Sequence, residues 1–525
     1  MPFPFLLFLS SLFLSLPTLS LSQQQQQQAP KGYLIDCGAI GSSVIDGRVW
    51  LPDDRFVSAG TAKNLTVPDL VPTLSTVRSF PLRNNVRRKF CYVARVYRGA
   101  KYLIRSTYYY GGVNGLDFPS PPVFDQIVDG TFWSVVNTTE DYSKGLSSYY
   151  EGVFEAKGST MSVCIASNTY TVSDPFISSL EMLILGDSLY NTTNFGSHAL
   201  RLVARHSFGH NGSIIGCFRV LEYPPSKVFE RALSTARSES LELRWPPFSL
   251  PNSTYYIALY FADNSDSPAR SRAFDIHIND IRYYNNLIVS SEGAAVFATR
   301  WPLRGPTKIT LSPAANSNAS PLINAGEIFD VLRLGGRTHT RDVIALEGLK
   351  NSLRNAPLDW SGDPCLPRDY SWTGVRCSEG GRIRLISLNL TGMGLLGSLS
   401  PSIANLTALS SIWFGNNSLS GVIPDLSSLK LLETLHLEDN QLTGEIPASL
   451  GDIESLRDMH VAFKCTSPSI LFQWLAPPKT CFDPLFLTRL FSSCRFLQNN
   501  NLTGRIPDTL VGRPRLKVRT SGNQF

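Results

Sequence analysis

Trp360-Ser-Gly-Asp-Pro-Cys365 and Trp372-Thr-Gly-Val-Arg-Cys377 stand directly ahead of a run of leucine motifs. The two cysteines are twelve positions apart, a loop short enough to close as a disulfide. Such a bridge limits the unfolded chain and stabilises by roughly 3 kcal/mol on a loop-entropy basis. Disulfides persist in oxidising compartments, so the pair points to secretion. Behind it, Leu388-Asn-Leu390, Ile412-Trp-Phe414 and Leu435-His-Leu437 recur at spacings of 24 and 23. Gly397, Gly421 and Gly444 keep the same phase, and Ile423-Pro424 and Ile446-Pro447 close the later units. Each unit supplies one short strand and cannot bury its apolar side alone, so the units must stack into a solenoid. Asn417, Asn440 and Asn500 fall where an asparagine side chain bonds turn backbone, and Met393 takes that place in the first unit.

The period is that of leucine-rich repeats. The Gly-x-Ile-Pro signature resembles the plant-specific class, and the Trp/Cys segment resembles the N-terminal cap of plant receptor ectodomains. Residues 31–335 read as β-structure. Phe90–Tyr97, Tyr102–Tyr110, Met161–Ile165 and Tyr255–Phe261 are rich in β-branched and aromatic residues, with turn-forming clusters between them. The region looks doubled: Tyr102–Tyr110 precedes Phe124-Asp-Gln-Ile-Val-Asp129, and Tyr255–Phe261 precedes Phe274-Asp-Ile-His-Ile-Asn279. Two tandem sandwiches are expected.

Gly32-Tyr-Leu-Ile-Asp-Cys-Gly38, Leu51-Pro-Asp-Asp54, Val77-Arg-Ser-Phe-Pro81, Arg98–Gly112 and Pro321–Phe329 resemble the malectin-like region of plant leucine-rich-repeat receptor-like proteins and receptor kinases. The resemblance covers about residues 30–460 and 497–525. It implies a mainly β fold: two tandem malectin-like β-sandwiches of jelly-roll type, then a short solenoid. Tyr223-Pro-Pro-Ser226 departs from the family, which usually has Tyr-Pro-Asp-Asp there. The expected division is a signal peptide over 1–22, a Gln-rich leader over 23–30, sandwiches over 31–190 and 191–335, a linker helix and cap over 336–384, and repeats over 385–525. The linker helix is placed at Arg341–Leu353, with Thr340 as N-cap and Val343, Leu346, Leu349 and Leu353 on one face, covering the open end of the solenoid.

Composition narrows the function. The net charge of +6 is modest and the basic residues are scattered, except for Arg83–Lys89, which reads as a solvated loop. That is no nucleic-acid footprint. The apolar start to about Leu21 reads as a cleaved signal rather than an anchor. No other segment offers 18 uninterrupted apolar residues. Ten sequons, at Asn64, Asn137, Asn191, Asn211, Asn252, Asn318, Asn389, Asn405, Asn416 and Asn501, fit a glycosylated extracellular chain. The chain stops at Ser521–Phe525, where members of the resembled family continue toward a transmembrane helix.

The residues favour binding over catalysis. No Gly-rich loop with a lysine strand and no His-Arg-Asp loop mark a kinase. Asp53-Asp54 and Asp125/Asp129 are the only carboxylate sets suited to polysaccharide chemistry, and both sit in turn-like contexts. No metal-ligand spacing and no cofactor motif are present. Cys91, Cys164 and Cys217 are isolated and pair with each other or with Cys37. For a cell-wall or oligosaccharide ligand, the residues to test are Tyr108, Tyr109, Tyr110, Asp117 and Trp133. For a co-receptor or peptide on the repeat face they are Trp413, His436 and Glu438, with glycosylation at Asn389 obstructing one end. The reading is a non-catalytic extracellular ectodomain of a receptor-like protein. A soluble decoy or wall glycan-binding protein is the alternative, and a polysaccharide-active enzyme a remote one.

The repeat spacing breaks once. Gly444 to Gly504 is 60 residues where one repeat of 24 is expected. Excising Val461–Phe496 restores the period and removes Cys465, Cys481 and Cys494, returning an odd nine cysteines to an even six. The segment reads as a translated intron, since a long structureless loop is uncommon in compact domains. Deleting Val461–Phe496 is expected to raise secreted yield; equal yields of the two forms would count against this reading.

Overall fold

The computed structural model describes residues 32–82, 87–115, 117–186, 190–209, 226–235, 239–264, 271–315, 317–461 and 500–524. The leader, the segment after Val461 to residue 499, Cys217, and Tyr223 to Pro225 lie outside the described residues.

Alternation builds the first sandwich. Along Lys101–Tyr108, Tyr102, Ile104, Ser106 and Tyr108 turn inward against the four-stranded sheet of Arg88–Arg95, Thr160–Ser167, Phe124–Val128 and Thr131–Val136. The second core is built the same way. Tyr255, Ile257, Leu259 and Phe261 of Leu250–Phe261 face Phe274, Ile276 and Ile278 of Arg272–Ile278.

The doubled motif has one physical cause. Asp129 and Asn279 close equivalent hairpins in the left-handed region, at φ 46° and 49°. Asp129 N–H donates to Ser162 O at 3.0 Å, and its carboxylate accepts Ser162 N–H at 2.8 Å. Asn279 repeats both bonds with Lys308, at 2.9 and 2.8 Å. Short polar side chains tolerate this backbone and satisfy the strand beside it.

The sandwiches are tandem in sequence but not separate in space. A single ten-stranded sheet runs through both, joined where Gly152 and Val153 pair with Arg201 and Leu200. Its outer face carries alternating charges across successive strands. Arg105 pairs with Glu181 at 3.4 Å and Glu151 at 2.6 Å, Arg205 with Glu151 at 2.7 Å and Glu327 at 2.5 Å. Tyr190 and Tyr260 donate to Glu327 at 3.0 and 2.9 Å. Burial pushes the Glu151 carboxyl up, but Arg205 and Arg105 outweigh it and hold the group below its ordinary value. Neutral residues at these positions would pack as well; removing one partner leaves a buried charge alone, which costs about 3–5 kcal/mol.

The linker helix spans Thr340–Ser352. Thr340 is its first residue rather than its N-cap; His339 holds the cap position without a side-chain bond. Buried Asp342 in the first turn accepts two bonds from Arg384 and one from Leu385 N–H. Ala345, Leu346 and Leu349 join the leucine core of the repeats, while Val343 is only half-buried. Gly348 lets the helix touch the Pro401–Asn405 turn, since a Cβ there would lie 2.6 Å from Ser402 Oγ. The helix thus packs along the first repeat.

Asparagines lace the solenoid. Asn417 accepts from Leu395 N–H at 2.9 Å and donates to Leu390 O and Phe414 O. Asn440 accepts from Leu419 N–H at 3.0 Å and donates to Phe414, Leu437 and Glu438 carbonyls. Asn500 continues the series, bonding Leu437 O at 2.8 Å and Val461 O at 2.6 Å. The ladder therefore resumes across the spacing break: Val461 fills the inward slot that Leu437 fills one repeat earlier, and Asn500 donates to its carbonyl. Asn523 adds a rung that the sequence reading missed, accepting from Leu502 N–H at 3.1 Å.

The Trp/Cys cap decides how the solenoid meets the first sandwich. Trp360 and Trp372 stack at 5.3 Å, and Cys365–Cys377 is bonded as expected. Cys91–Cys164, on adjacent strands, forms the second disulfide; Cys37 is buried and free. Gly362 lies against that bridge at φ +67°, where a Cβ would sit 2.7 Å from Cys91 Sγ. Asp363 accepts from Thr338, Cys365 and Leu366 N–H groups at 2.9–3.0 Å. Lys89, expected in a solvated loop, is instead 1% exposed in a strand. Its ammonium donates to Asp363 O at 2.6 Å and to Leu366 O. Arg87 pairs with Asp369. A strand's alternate positions face a partner regardless of charge, and here the partner is the cap.

Two outcomes follow from these contacts. Asn440→Ala leaves several buried groups unpaired and is expected to cost about 3 kcal/mol, against under about 0.5 kcal/mol for exposed Asn501→Ala, read as denaturant midpoints of the solenoid transition. Burial pushes the Lys89 ammonium down to about 8 from 10.5. The unfolded chain then binds more protons between those values, so stability must rise with pH across that window. Thermal scans at pH 7.5 and 10 should show an increment in the native chain that Lys89→Met lacks.

Candidate functional site

The structure splits the sequence-predicted binding residues into two groups. Tyr108, Tyr110 and Trp133 are fully buried and Tyr109 is 7% exposed. Tyr108 donates to Gln126 at 3.1 Å and packs edge-on against Phe124, Tyr150 and Phe176. Tyr110 donates to Phe118 O, and Trp133 meets Phe154 at 5.7 Å. Tyr108, Tyr110 and Trp133 belong to the sandwich core, and Tyr109 is buried outside it against Tyr142; none offers a ring face to a sugar, which corrects the expectation for all four. Asp117 is exposed in a turn, apart from them.

The carboxylate sets are structural too. Asp53 is fully buried, held by Arg78 and by Tyr92 O–H at 3.0 Å. Asp125 accepts from Tyr170 at 2.6 Å and from Tyr370 of the cap. Asp129 is engaged by Ser162, as described above. Each is committed to a turn or a junction.

The second group shares one surface. Parallel pairing of Leu385–Asn389, Ser411–Trp413, Thr434–His436, Asp458–His460 and Lys517–Arg519 puts Asn389, Trp413, His436, His460 and Arg519 in register. Their flanking residues Leu388, Ile412, Leu435 and Met459 point into the core. The ring of Trp413 lies 4.3 Å from that of His436, which stacks on His460 at 4.0 Å and 12°. Sandwiched so, His436 is only 8% exposed, less open than its outward position suggests. Glu438 lies 3.8 Å from His436 Nδ1. His460 and Arg519 extend the row; aligning the repeats on their asparagines would have found His460, 24 residues after His436.

The sequence shows no metal-ligand spacing, and the grouping of His436, Asp458 and His460 is made by stacking rather than by a local motif. Repeat stacking brings ligand atoms of His436, Asp458 and His460 within 4.8 Å of one another. A cleft of about 900 Å³ opens elsewhere, between the first sandwich and the linker helix and cap. Arg98, Asp129, Arg337, Ile344 and Asp363 are among its lining residues, drawn from segments no local motif links.

All nine described sequon asparagines are exposed; Asn211 lies outside the described residues. Among the described residues no helix is long and apolar enough to cross a membrane.

Comparison with known proteins agrees with the architecture. The malectin-like domain model matches residues 35–220 and 217–331, the leucine-rich repeat N-terminal domain 339–378, and a leucine-rich repeat 431–453. The chain belongs to the malectin-like domain family, joined to leucine-rich repeats. A leucine-rich repeat receptor-like serine/threonine-protein kinase of Arabidopsis thaliana is 28% identical over 445 residues, 76% of this chain and 50% of the relative. Another receptor-like kinase of that plant is 30% identical over 449 residues, 78% of this chain and again 50% of the relative. The chain thus spans about half the length of the curated relatives it matches. Among solved structures, the ANX2 ectodomain from Arabidopsis thaliana aligns at TM-score 0.45 and 14% identity, covering 57% of this chain and 96% of that one. The plant receptor-like kinase FER aligns at TM-score 0.45 and 16% identity, with the same two shares of 57% and 96%.

Proposed function

We propose that the chain is the ligand-recognising ectodomain of a cell-surface receptor-like protein, and that its ligand is a peptide or protein seated on the inner face of the repeats. The observation carrying this reading is the in-register row of Trp413, His436 and His460 on a strand face. Trp413 and His460 are half-exposed, with buried His436 stacked between them, and such rings beside hydroxyls and charges suit a side-chain-reading surface. The sandwich aromatics that would have read sugar rings are core residues, so an oligosaccharide at those tyrosines is not proposed. The described sandwiches and repeats are framework and binding surface, and their carboxylates are tied into turns. Exposed sequons and two disulfides suit an oxidising, extracellular setting.

A peptide-display library and a glycan array, each probed with the purified ectodomain, test this. Enriched peptides should lose binding at least about tenfold with Trp413→Ala, as expected of an interface anchor, and be indifferent to Phe132→Ala on an exposed sandwich strand. Saturable glycan binding that ignores Trp413→Ala, with no enriched peptide, would overturn the reading.

A further inference from the structure

The inner face of the solenoid holds a cluster whose chemistry the receptor reading does not use. Asp458 and His460 project on one side of Asp458–His460, and His436 projects beside them from the preceding repeat. His436 Nε2 lies 3.4 Å from Asp458 Oδ2, and His460 Nε2 lies 3.1 Å from Asp458 Oδ1. Donors around a tetrahedral zinc are separated by about 3.3 Å, given bonds near 2.0–2.1 Å. Each imidazole thus stands near that spacing from one oxygen of the Asp458 carboxylate, and the three ligand atoms lie within 4.8 Å of one another. Two carboxylate oxygens at the site, Asp458 Oδ1 and Glu438 Oε2, are shielded from solvent and make no hydrogen bond among the described residues. Two imidazoles with one carboxylate form a donor set suited to zinc, and three protein ligands leave a fourth position open.

We propose that His436, Asp458 and His460 bind a zinc ion on the inner face of the repeats, with Glu438 as a further candidate ligand. The stacked rings are parallel to within 12° and cannot both aim a lone pair at one point as they stand. His436 is wedged between Trp413 and His460, so His460 is the ring that turns about its Cβ–Cγ bond on binding. Lys517 and Arg519 flank Asp458 and His460 on the next strand and oppose a cation. They set a limit on affinity, which a neutral His₂ set with one carboxylate leaves in a moderate range. Trp413 stands against His436 on the same strand face, so a carboxylate or imidazole of a partner bound there would complete the shell. The site stands independently of whether that partner is a peptide.

The test uses the tag-free full chain, stripped with chelator and titrated with zinc chloride by calorimetry at pH 7.5. One saturable site is expected, weakened at least about tenfold by Asp458→Asn and by His460→Gln. Cobalt(II) should give a tetrahedral d–d absorption band that both variants lose. Circular dichroism confirms that each variant is folded; should His460→Gln misfold, Asp458→Asn carries the comparison. No saturable binding below about 100 μM zinc, or binding unchanged in Asp458→Asn, overturns the proposal.

Discussion

A buried lysine on a sandwich strand, capped by carbonyls of the Trp/Cys segment, ties the first sandwich to the repeat cap. Lys89 donates to Asp363 O and Leu366 O, while the Asp363 carboxylate gathers the amides of Thr338, Cys365 and Leu366. One residue thus ties the start of the linker helix, the cap and the sandwich together. An ammonium taken out of water is tolerated only where acceptors replace its hydration, so the junction has one workable arrangement. Gly362 against the Cys91–Cys164 bridge removes the last steric obstacle to that arrangement.

The same logic of paired polar groups joins the two sandwiches. Their shared sheet has a short seam of backbone pairing, at Gly152 and Val153. The charges from Glu181 through Arg105, Glu151 and Arg205 to Glu327 cross that seam with alternate sign. Burial of one face already forbids a one-residue slip, and a two-residue slip would keep apolar faces inward but part these charges, so the ion pairs reinforce the register. The cleft beside the linker helix is lined from both the first sandwich and the helix and cap segment, so it exists only where these parts meet.

The solenoid was legible because its period is written in leucines, glycines and asparagines whose bonds are local to neighbouring repeats. Asn417 and Asn440 act as the spacing implies. Two sandwiches were legible from alternation and from the repeated Phe-Asp-x-x-x-Asp/Asn, whose last residue turns out to close a left-handed hairpin. The aromatic run Tyr108–Tyr110 misled for a simple reason. Tyrosine is amphipathic, and sequence does not reveal which face of a strand meets a second sheet. Lys89 misled likewise, because a basic run in sequence says nothing of a carbonyl pair brought to it from 274 residues away.

The sequence by itself determined the periodicities, the cap disulfide and the two-part plan, since all rest on spacing and on short-range backbone preference. Only the tertiary structure decided that one sheet runs through both sandwiches, that Cys91 meets Cys164, and that His436, Asp458 and His460 converge. Those facts depend on which distant segments pack together. That choice is made by burying apolar faces and satisfying every polar group they enclose, a sum over the whole chain that no local motif contains.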